Sequence, residues 1–362
     1  MQKLRENLCR AGKPVRVLRL PDGTRVLVLP HGGRVLGLYA PRRAGNFYWT
    51  HPALNSAADA RSFYASDAWH NSGGDRTWLA PEVDVFLPAF PKLDRYEQPR
   101  ALDPGHYRAI EGESGFKLEN RLTVRLSRSK KDVALKITKR FGPAPNPLRR
   151  ERGVDLRGVE YAGYTQRSSL ELTGASRTTK AQIGLWNLIQ MPPGGDLQMP
   201  PGGDLLMPTF SRNEPRHIFS TVGVIPDDDL VVTEHLVRYR MRQRGEHKIS
   251  LRAAPMTGRA GYLYCSGSQW SLVVRNFMVN PSGEYVDVPW TESGWLGFAV
   301  QACNVNSALG AFSEFEYHTP AIGHRTGSVR CDDTAQVWAF RGSRARIVKI
   351  AQLLVAGRDS AL

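Results

Sequence analysis

Cysteine is scarce in this sequence, and long apolar runs are missing from it. The four cysteines among 362 residues are widely spaced and form no CxxC pair, which argues against a zinc knuckle or a redox motif. We expect all four to be reduced thiols. No apolar run is long enough to cross a bilayer, and residues 1–8 lack the apolar segment of a signal peptide. These absences predict a soluble, cytoplasmic protein that does not enter a membrane.

Acidic residues are also in short supply, at 34 against 49 basic residues, which gives a net charge of +15. Such a charge would suit a nucleic acid or another anionic polymer. The basic residues are scattered, however, and their densest groups, at residues 148–152 and 238–242, are short. No helix-turn-helix, zinc-finger or RRM-type signature accompanies them. We therefore interpret the charge as a solvated basic surface and expect no nucleic-acid partner.

What the sequence does contain is a period of two in its apolar residues. Between residues 122 and 126 apolar side chains alternate with polar ones, and after a polar turn the alternation resumes at residues 133–137. This pattern predicts an antiparallel hairpin with one face on a core. Helical periods are short, so the chain is predicted to be all-β, with stacked and mostly antiparallel sheets. Similar alternating runs occur at residues 15–20, 25–29, 34–39, 248–253, 261–265, 269–277, 336–340 and 345–350, and the best helix candidate is residues 56–69.

The composition favours a single domain. Apolar residues make up 41% of the chain, which is enough to bury a large core. No linker-like change of composition occurs inside residues 14–350. We therefore expect one β-sandwich domain over residues 14–350, an N-terminal tail at residues 1–13 and a C-terminal tail at residues 351–362.

A short duplication interrupts this pattern. Residues 191–198 are followed at once by a near copy at residues 199–206, and both copies contain Pro-Pro-Gly-Gly. One duplication is too short for a solenoid, which needs several stacked copies to bury a core. The Pro and Gly content is typical of a turn, so we expect the duplication to lengthen a loop.

The stretch at residues 69–82 collects the groups that a sugar site needs. It contains His70, Asp75, Arg76 and Trp78 together with two adjacent glycines. Charged side chains bind sugar hydroxyls in bidentate contacts, indole rings pack on apolar C–H faces, and glycines allow tight turns. These four residues are therefore candidates for substrate binding. The alternative is an internal Asp–Arg pair that holds a loop beside core tryptophans.

A second candidate cluster is formed by Glu314, Glu316 and His318. Strand alternation places the three side chains on one face. Neighbouring carboxylates raise each other's pKa, and a histidine beside a carboxylate stays protonated more easily, so such a face can hold both a base and an acid. The same residues could instead chelate a metal or form a solvated strand face.

Trp186 is a third candidate. It lies in an alternating segment, residues 184–190, that leads into the duplication. Its indole ring could form the floor of a sugar site. Alternatively, it could be an ordinary core residue.

Several of these motifs occur together in an order that resembles a bacterial branch of the galactose mutarotase-like (aldose 1-epimerase-like) superfamily. The resemblance spans roughly residues 14–350. It implies a β-supersandwich fold in which one sheet carries a sugar site. The motifs that carry the resemblance are residues 32–35, 46–49, 73–78, 185–186 leading into 190–195, and 314–318.

The resemblance also implies roles for particular residues. In aldose 1-epimerases a glutamate on a late strand takes the proton from the anomeric hydroxyl, and Glu316, or Glu314 two positions earlier, looks like this residue. An early Asn–Arg pair helps to hold the sugar, and Asp75 with Arg76 resembles it, with Asp in place of Asn. A histidine protonates the ring oxygen, and His318 is the candidate for that role. No cofactor and no metal are expected.

The sequence therefore leads to two functional hypotheses. The first is an aldose 1-epimerase-like enzyme that performs acid/base chemistry on a small-molecule carbohydrate, with an acidic sugar favoured by the excess of arginine. The second is a non-catalytic carbohydrate-binding or sensing domain of the same fold, since one fold hosts several activities.

Overall fold

The computed structural model of the chain describes residues 1–112, 115–195, 202–210, 218–289, 297–357 and 362. Strands are the main regular structure among these residues, and the helices are short. The strands are β1 (Arg16–Arg19), β2 (Arg25–Leu29), β3 (Arg34–Tyr39), β4 (Asp75–Ala80), β5 (Arg108–Ile110), β6 (Lys117–Arg125), β7 (Asp132–Pro143), β8 (Glu160–Leu172), β9 (Gly184–Met191), β10 (Gly203–Pro208), β11 (Ile218–Val222), β12 (Leu230–Val232), β13 (Leu236–Met241), β14 (His247–Leu251), β15 (Arg259–Ser266), β16 (Gln269–Asn276), β17 (Val300–Ser307), β18 (Gly310–His318) and β19 (Arg330–Gly342). The α-helices are α1 (Gln2–Arg10), α2 (Ala57–Ala65), α3 (Glu82–Val85) and α4 (Arg344–Ala351), with shorter or irregular helical segments at Pro52–Asn55, Ala101–Gly105, Gly174–Thr178, Asp227–Asp229, His324–Thr326 and Gln352–Ala356.

The described strands form two large sheets. The first sheet has nine strands in the order β1-β2-β3-β4-β9-β18-β17-β14-β11, and the second has ten in the order β12-β13-β10-β15-β16-β19-β8-β7-β6-β5. Neighbouring strands in both sheets pair antiparallel, as in β4 with β9 and β19 with β8. Two antiparallel sheets with few short helices confirm the predicted all-β sandwich.

The hairpin of β6 and β7 shows how the sequence pattern produces this fold. Leu122 pairs with Leu135 and Val124 with Val133, and all four side chains are buried. Because successive side chains on a strand point to opposite faces, the alternation sends these residues to the core. Burying each such side chain contributes about 1.5–3 kcal/mol. The predicted hairpin is therefore confirmed.

The interpretation of residues 345–350 as a strand was wrong, because they lie within helix α4. Ile347, Ile350 and Ala351 are fully buried and pack in one cluster with Trp338 and Phe340 of β19. Their spacing of three and four residues is that of a helix face. The alternation that suggested a strand holds only within residues 345–347 and within residues 348–350, where one basic residue separates two apolar residues, and three residues are too few to distinguish the two periods.

Both expected tails contain helical structure. Helix α1 lies within residues 1–13, and its Leu8 is fully buried in a cluster with Leu54 and Tyr64. The Nδ2 atom of Asn7 donates to the carbonyl oxygen of Leu54 at 3.0 Å. At the other end, Val355 packs in the same cluster as α4.

The duplicated segment is described in part. Met191 ends β9, and residues 203–206 begin β10, where Leu205 and Leu206 are buried. The turn predicted from the Pro-Pro-Gly-Gly repeat falls largely on residues 196–201, which lie outside the described residues.

The state of the cysteines and the character of the helices bear on two expectations from the sequence. All four cysteines are free thiols. None of the described helices combines the length and the apolar character that crossing a membrane would require.

Candidate functional site

The first sheet has an inner face toward the second sheet and an outer face away from it. On β4, Asp75 accepts hydrogen bonds from Arg275 of β16 and Tyr164 of β8, which are both strands of the second sheet. Asp75 therefore points inward. Since side chains alternate along a strand, Arg76 and Trp78 point to the outer face.

Strand register places most of the predicted site residues together on this outer face. Residues that are directly opposite on neighbouring strands share a face, so each row of partners lines up across the sheet. The outer face thus carries Glu314, Glu316 and His318, whose common face the alternation predicted. It also carries Arg76, Trp78 and Trp186. The rows of partners are Trp78, Trp186 and His318; Arg76, Leu188, Glu316 and Gln301; and Gln190, Glu314, Cys303 and Lys248.

Two glycines allow β4 to enter the sheet at this position. Gly73 and Gly74 have φ values of +96° and +77°, in the region that L side chains rarely adopt. A Cβ atom on Gly73 would collide with the backbone oxygen of Trp49, and one on Gly74 with that of Val35. The glycine pair of the predicted sugar-binding stretch is therefore required for the backbone path that leads to Arg76.

Glu316 is a deeply enclosed carboxylate on this face. Its side chain is 1% exposed. Its Oε2 atom accepts a hydrogen bond from Nε1 of Trp186 at 2.7 Å and lies 3.2 Å from Nζ of Lys248. Its Oε1 atom has no hydrogen-bond partner among the described residues. One oxygen thus holds the carboxylate in place, and the other remains able to accept a proton or a hydrogen bond.

Burial raises the pKa of Glu316 from its ordinary value near 4.5 to about 7. The positive charge of Lys248 opposes this increase, and the negative charge of Glu314 adds to it. The pKa of Lys248 is raised in turn. Burial acts to lower it, but the carboxylates of Glu316, Glu82 and Asp287 together outweigh burial. Lys248 is therefore protonated, while Glu316 can gain or lose a proton close to neutral pH.

Arg76 forms the other charged pair of the cluster. Its Nη2 atom lies 2.8 Å from Oε1 of Glu314. The guanidinium lies over the ring of Trp78, 4.1 Å from its centroid, and 5.4 Å from the centroid of Trp69. Its Nε and Nη1 atoms, and both amide atoms of the fully buried Gln190, lack hydrogen-bond partners within the described part of the chain. A hydroxylated ligand could supply both donors and acceptors to such atoms.

His318 is held in the neutral form. Gln301 donates from Nε2 to Asp287 at 3.0 Å, so its Oε1 atom faces His318 and accepts from the histidine Nε2–H at 2.7 Å. Burial lowers the pKa of His318 well below its usual value, and the charge of Lys248 lowers it further. The ring also stacks on Trp186, with centroids 5.6 Å apart. A neutral ring whose N–H is already engaged does not suit the role of proton donor to a ring oxygen.

An aromatic layer covers the tryptophan end of the cluster. Phe86, which follows α3, lies 4.7 Å from Trp78 and 5.7 Å from Trp186 between ring centroids. Tyr96 stacks on Phe86 at 5.5 Å and donates its hydroxyl hydrogen to Oε1 of Glu82 at 2.8 Å. The segment that begins at α3 thus covers Trp78 and Trp186 and brings Glu82 to 3.9 Å from Nζ of Lys248.

Two predicted site residues lie elsewhere. The Asp75 carboxylate is fully buried between the sheets, so the early charged pair of the sequence is split, with Arg76 on the outer face and Asp75 paired to Arg275. His70 lies 3.0 Å from the carbonyl oxygen of Ser66 through its Nε2 atom. It lines a cleft that Trp69 also lines, and the Trp69 ring lies 5.4 Å from the guanidinium of Arg76.

Sequence reasoning missed Lys248, Glu82 and Gln301. Lys248 begins an alternating run that was predicted as a strand, and Glu82 closes the predicted sugar-binding stretch, so both had a weak signal. Gln301 had none, since no strand was predicted around it. Lysine side chains are almost always exposed, so the burial of Lys248 was not expected from the sequence.

Comparison with known proteins agrees with this architecture. No protein-family model matches the sequence, and no curated protein matches it. A galactose mutarotase-like protein from Lactobacillus casei ATCC 334 is similar in structure, with a TM-score of 0.50 and 8% identity over 90% of this chain and 99% of that one. The galactose 1-epimerase from Lactobacillus acidophilus NCFM has a TM-score of 0.37 and 11% identity over 91% of this chain and 94% of that one. The fold of the chain is that of the galactose mutarotase-like sandwich.

Proposed function

We propose that the chain binds a carbohydrate on the outer face of the first sheet and interconverts its anomers, with Glu316 as the base. The observation that carries this proposal is the enclosed Glu316 carboxylate, whose pKa is raised to about 7 and whose Oε1 atom has no hydrogen-bond partner among the described residues. A base with a pKa near the working pH is best suited to proton transfer. Trp78 and Trp186 supply apolar surface beside it.

In the proposed reaction, Glu316 takes the proton of the anomeric hydroxyl while the bond between the anomeric carbon and the ring oxygen breaks. The ring oxygen receives a proton, and the sugar becomes an open-chain aldehyde. Rotation about the bond next to the aldehyde carbon lets the ring close on the other face of the carbonyl. Closure reverses both proton transfers, so Glu316 ends as it began.

Lys248 is the proposed donor to the ring oxygen. The negative charge of Glu316 is the strongest of the charges that raise the pKa of Lys248. When Glu316 accepts the sugar proton, that charge disappears and the pKa of Lys248 falls, so the ammonium becomes a better acid at the moment it is needed. Arg76 would hold the sugar through its Nε and Nη1 donors, which also suit the carboxylate of an acidic sugar.

A second candidate function is carbohydrate binding without catalysis. It is favoured by the neutral state of His318, which removes the histidine acid expected from the family resemblance. The two functions separate in a saturation-transfer NMR screen of neutral and acidic monosaccharides, with anomeric exchange rates measured on the same samples. Binding with faster exchange supports the enzyme, binding without it supports the sensing domain, and absence of binding across the panel rejects both.

The role of Lys248 can be tested through the pH dependence of the reaction. Replacing Lys248 with Met removes the cation that holds down the pKa of Glu316, so this pKa should rise by about one to three units. Because the base must be ionised, the rate falls as the pH drops through the pKa of Glu316. Lys248→Met also lacks the proposed acid, so its rate should be lower, and the acid limb of its residual rate profile should move to higher pH.

The matched control is Lys131→Met, which removes an exposed lysine from the turn before β7. Its rate profile should coincide with that of the unmodified protein. An unmoved acid limb in Lys248→Met would show that Lys248 does not set the pKa of the catalytic group.

A further inference from the structure

A cleft of about 790 Å³ lies next to the group formed by Glu316, Glu314, Arg76, Trp186 and Lys248, which we call the Glu316 cluster. Its wall includes His31, Tyr64, Trp69 and His70, and Tyr96 borders it as well. Ligand sites in proteins commonly have volumes of about 300–1,000 Å³, so this cleft is large enough to hold a ligand of its own.

The wall of the cleft is built from aromatic rings in mutual contact. Tyr64 is edge-on to His31 at 5.2 Å and to His70 at 5.3 Å between ring centroids. The two imidazole rings are 5.9 Å apart and tilted by 32°. Such a surface suits the apolar C–H faces of a sugar ring.

The polar atoms of this wall are uncharged. The Nε2 atom of His31 and the Nε1 atom of Trp69 are buried and have no hydrogen-bond partner in the described chain. Burial lowers the pKa of His31 to about 3, with the charge of Lys13 adding to the effect, and burial likewise lowers the pKa of His70. Both rings are therefore neutral at physiological pH and can exchange hydrogen bonds with hydroxyl groups.

The charged groups around the cleft are largely neutralised. Most of the arginines and aspartates that line it face an opposite charge, while Lys13 lies 5.2 Å from the centroid of the Tyr64 ring. An anion would find little unpaired positive charge here, so the cleft favours an uncharged ligand. The pairs are Arg100 with Asp67 at 3.8 Å, Arg125 with Asp132 at 3.2 Å, and Arg34 with Asp103 at 2.7 Å.

Trp69 connects the cleft to the proposed catalytic site. It lines the cleft, and its ring lies 5.4 Å from the guanidinium of Arg76 and 5.4 Å from the ring of Trp78. Tyr96 is shared in the same way, because it borders the cleft and donates to Glu82. Ligand groups in the cleft and at Arg76 would therefore both lie close to the Trp69 indole.

We propose that the cleft is a second sugar subsite that takes an uncharged sugar unit, so that the substrate is an oligosaccharide of at least two units. This inference rests on the proposed function of the Glu316 cluster. It assigns His31 to the recognition of the second unit, through the Nε2 atom that has no partner among the described residues.

The test compares the affinities of monosaccharides and disaccharides by NMR titration, with glucose, galactose, maltose, cellobiose and lactose as probes. At least one disaccharide should bind about tenfold more tightly than its component monosaccharides, because it fills both subsites. In His31→Phe the ring contact with Tyr64 is kept and the nitrogen is lost. The affinity for that disaccharide should fall about fivefold, while monosaccharide affinity and Tm stay unchanged.

His106→Phe, at an exposed position, is the matched control and should alter no affinity. His70→Phe provides a second probe of the wall if His31→Phe folds poorly. Equal affinities for disaccharides and monosaccharides would overturn the subsite and leave the proposed function intact. Unchanged disaccharide affinity in both His31→Phe and His70→Phe would also overturn the subsite and leave the proposed function intact. If no sugar of either size binds, the proposed function fails together with the subsite.

Discussion

Replacing Glu316 with Gln is expected to slow anomeric exchange by roughly a hundredfold or more while the sugar still binds. Gln keeps the size of the side chain and its contact with Trp186, but it cannot accept the sugar proton. Lys248 still faces the carboxylates of Glu82 and Asp287, so its charge is not left isolated. Exchange rates from NMR and affinities from calorimetry, measured on the same samples, check this expectation.

The same substitution has a pH signature in stability. The pKa of Glu316 in the folded chain, about 7, lies above its ordinary value near 4.5. Its contribution to the free energy of unfolding is therefore fully present below about pH 4.5 and is lost as the pH rises through 7. Between pH 5 and 8, the unmodified protein should lose Tm relative to Glu316→Gln, whose side chain does not titrate.

Two controls make the assignment to Glu316 specific. Glu314→Gln changes the neighbouring carboxylate that pairs with Arg76, and Glu111→Gln changes an exposed one. Glu111→Gln should leave rate and stability nearly unchanged. An active Glu316→Gln beside an inactive Glu314→Gln would move the role of base to Glu314.

Replacing Asp75 with Asn is expected to lower the free energy of unfolding by roughly 3–5 kcal/mol without changing the sugar affinity of the folded protein. Asp75 and Arg275 are both fully buried, with Nη2 of the arginine 3.2 Å from Oδ1 of the aspartate. Asn can still accept the hydrogen bond from Tyr164, but it leaves the guanidinium charge of Arg275 without its counter-ion. Urea unfolding and sugar titration of the same variant separate the two effects.

The control for this prediction is Asp332→Asn, which breaks an exposed pair with Arg330 and should change the unfolding midpoint little. The opposite pattern in Asp75→Asn, with lost sugar affinity and preserved stability, would place Asp75 in the binding site. That outcome would restore the role that the sequence suggested for the Asp75–Arg76 pair.

Local alternation was enough for the sequence to predict part of the strands and, within them, which side chains share a face. The hairpin of β6 and β7 and the common face of Glu314, Glu316 and His318 both follow from the period of two, which depends only on residues next to one another in the chain. The same reasoning failed for α4, because its alternation covers only three residues at a time and its buried residues follow the helical spacing of three and four.

Only the tertiary structure decided which face became the candidate site. Alternation places Asp75 and Arg76 on opposite faces, but it does not say which of them meets the second sheet. The packing of β4 against β8 and β16 decides that Asp75 does so. Lys248 reaches Glu316 because β17 pairs with both β14 and β18, and the tertiary packing buries both side chains. The pKa of Glu316 depends on that burial and on charges far away in the sequence, so no local pattern could predict it.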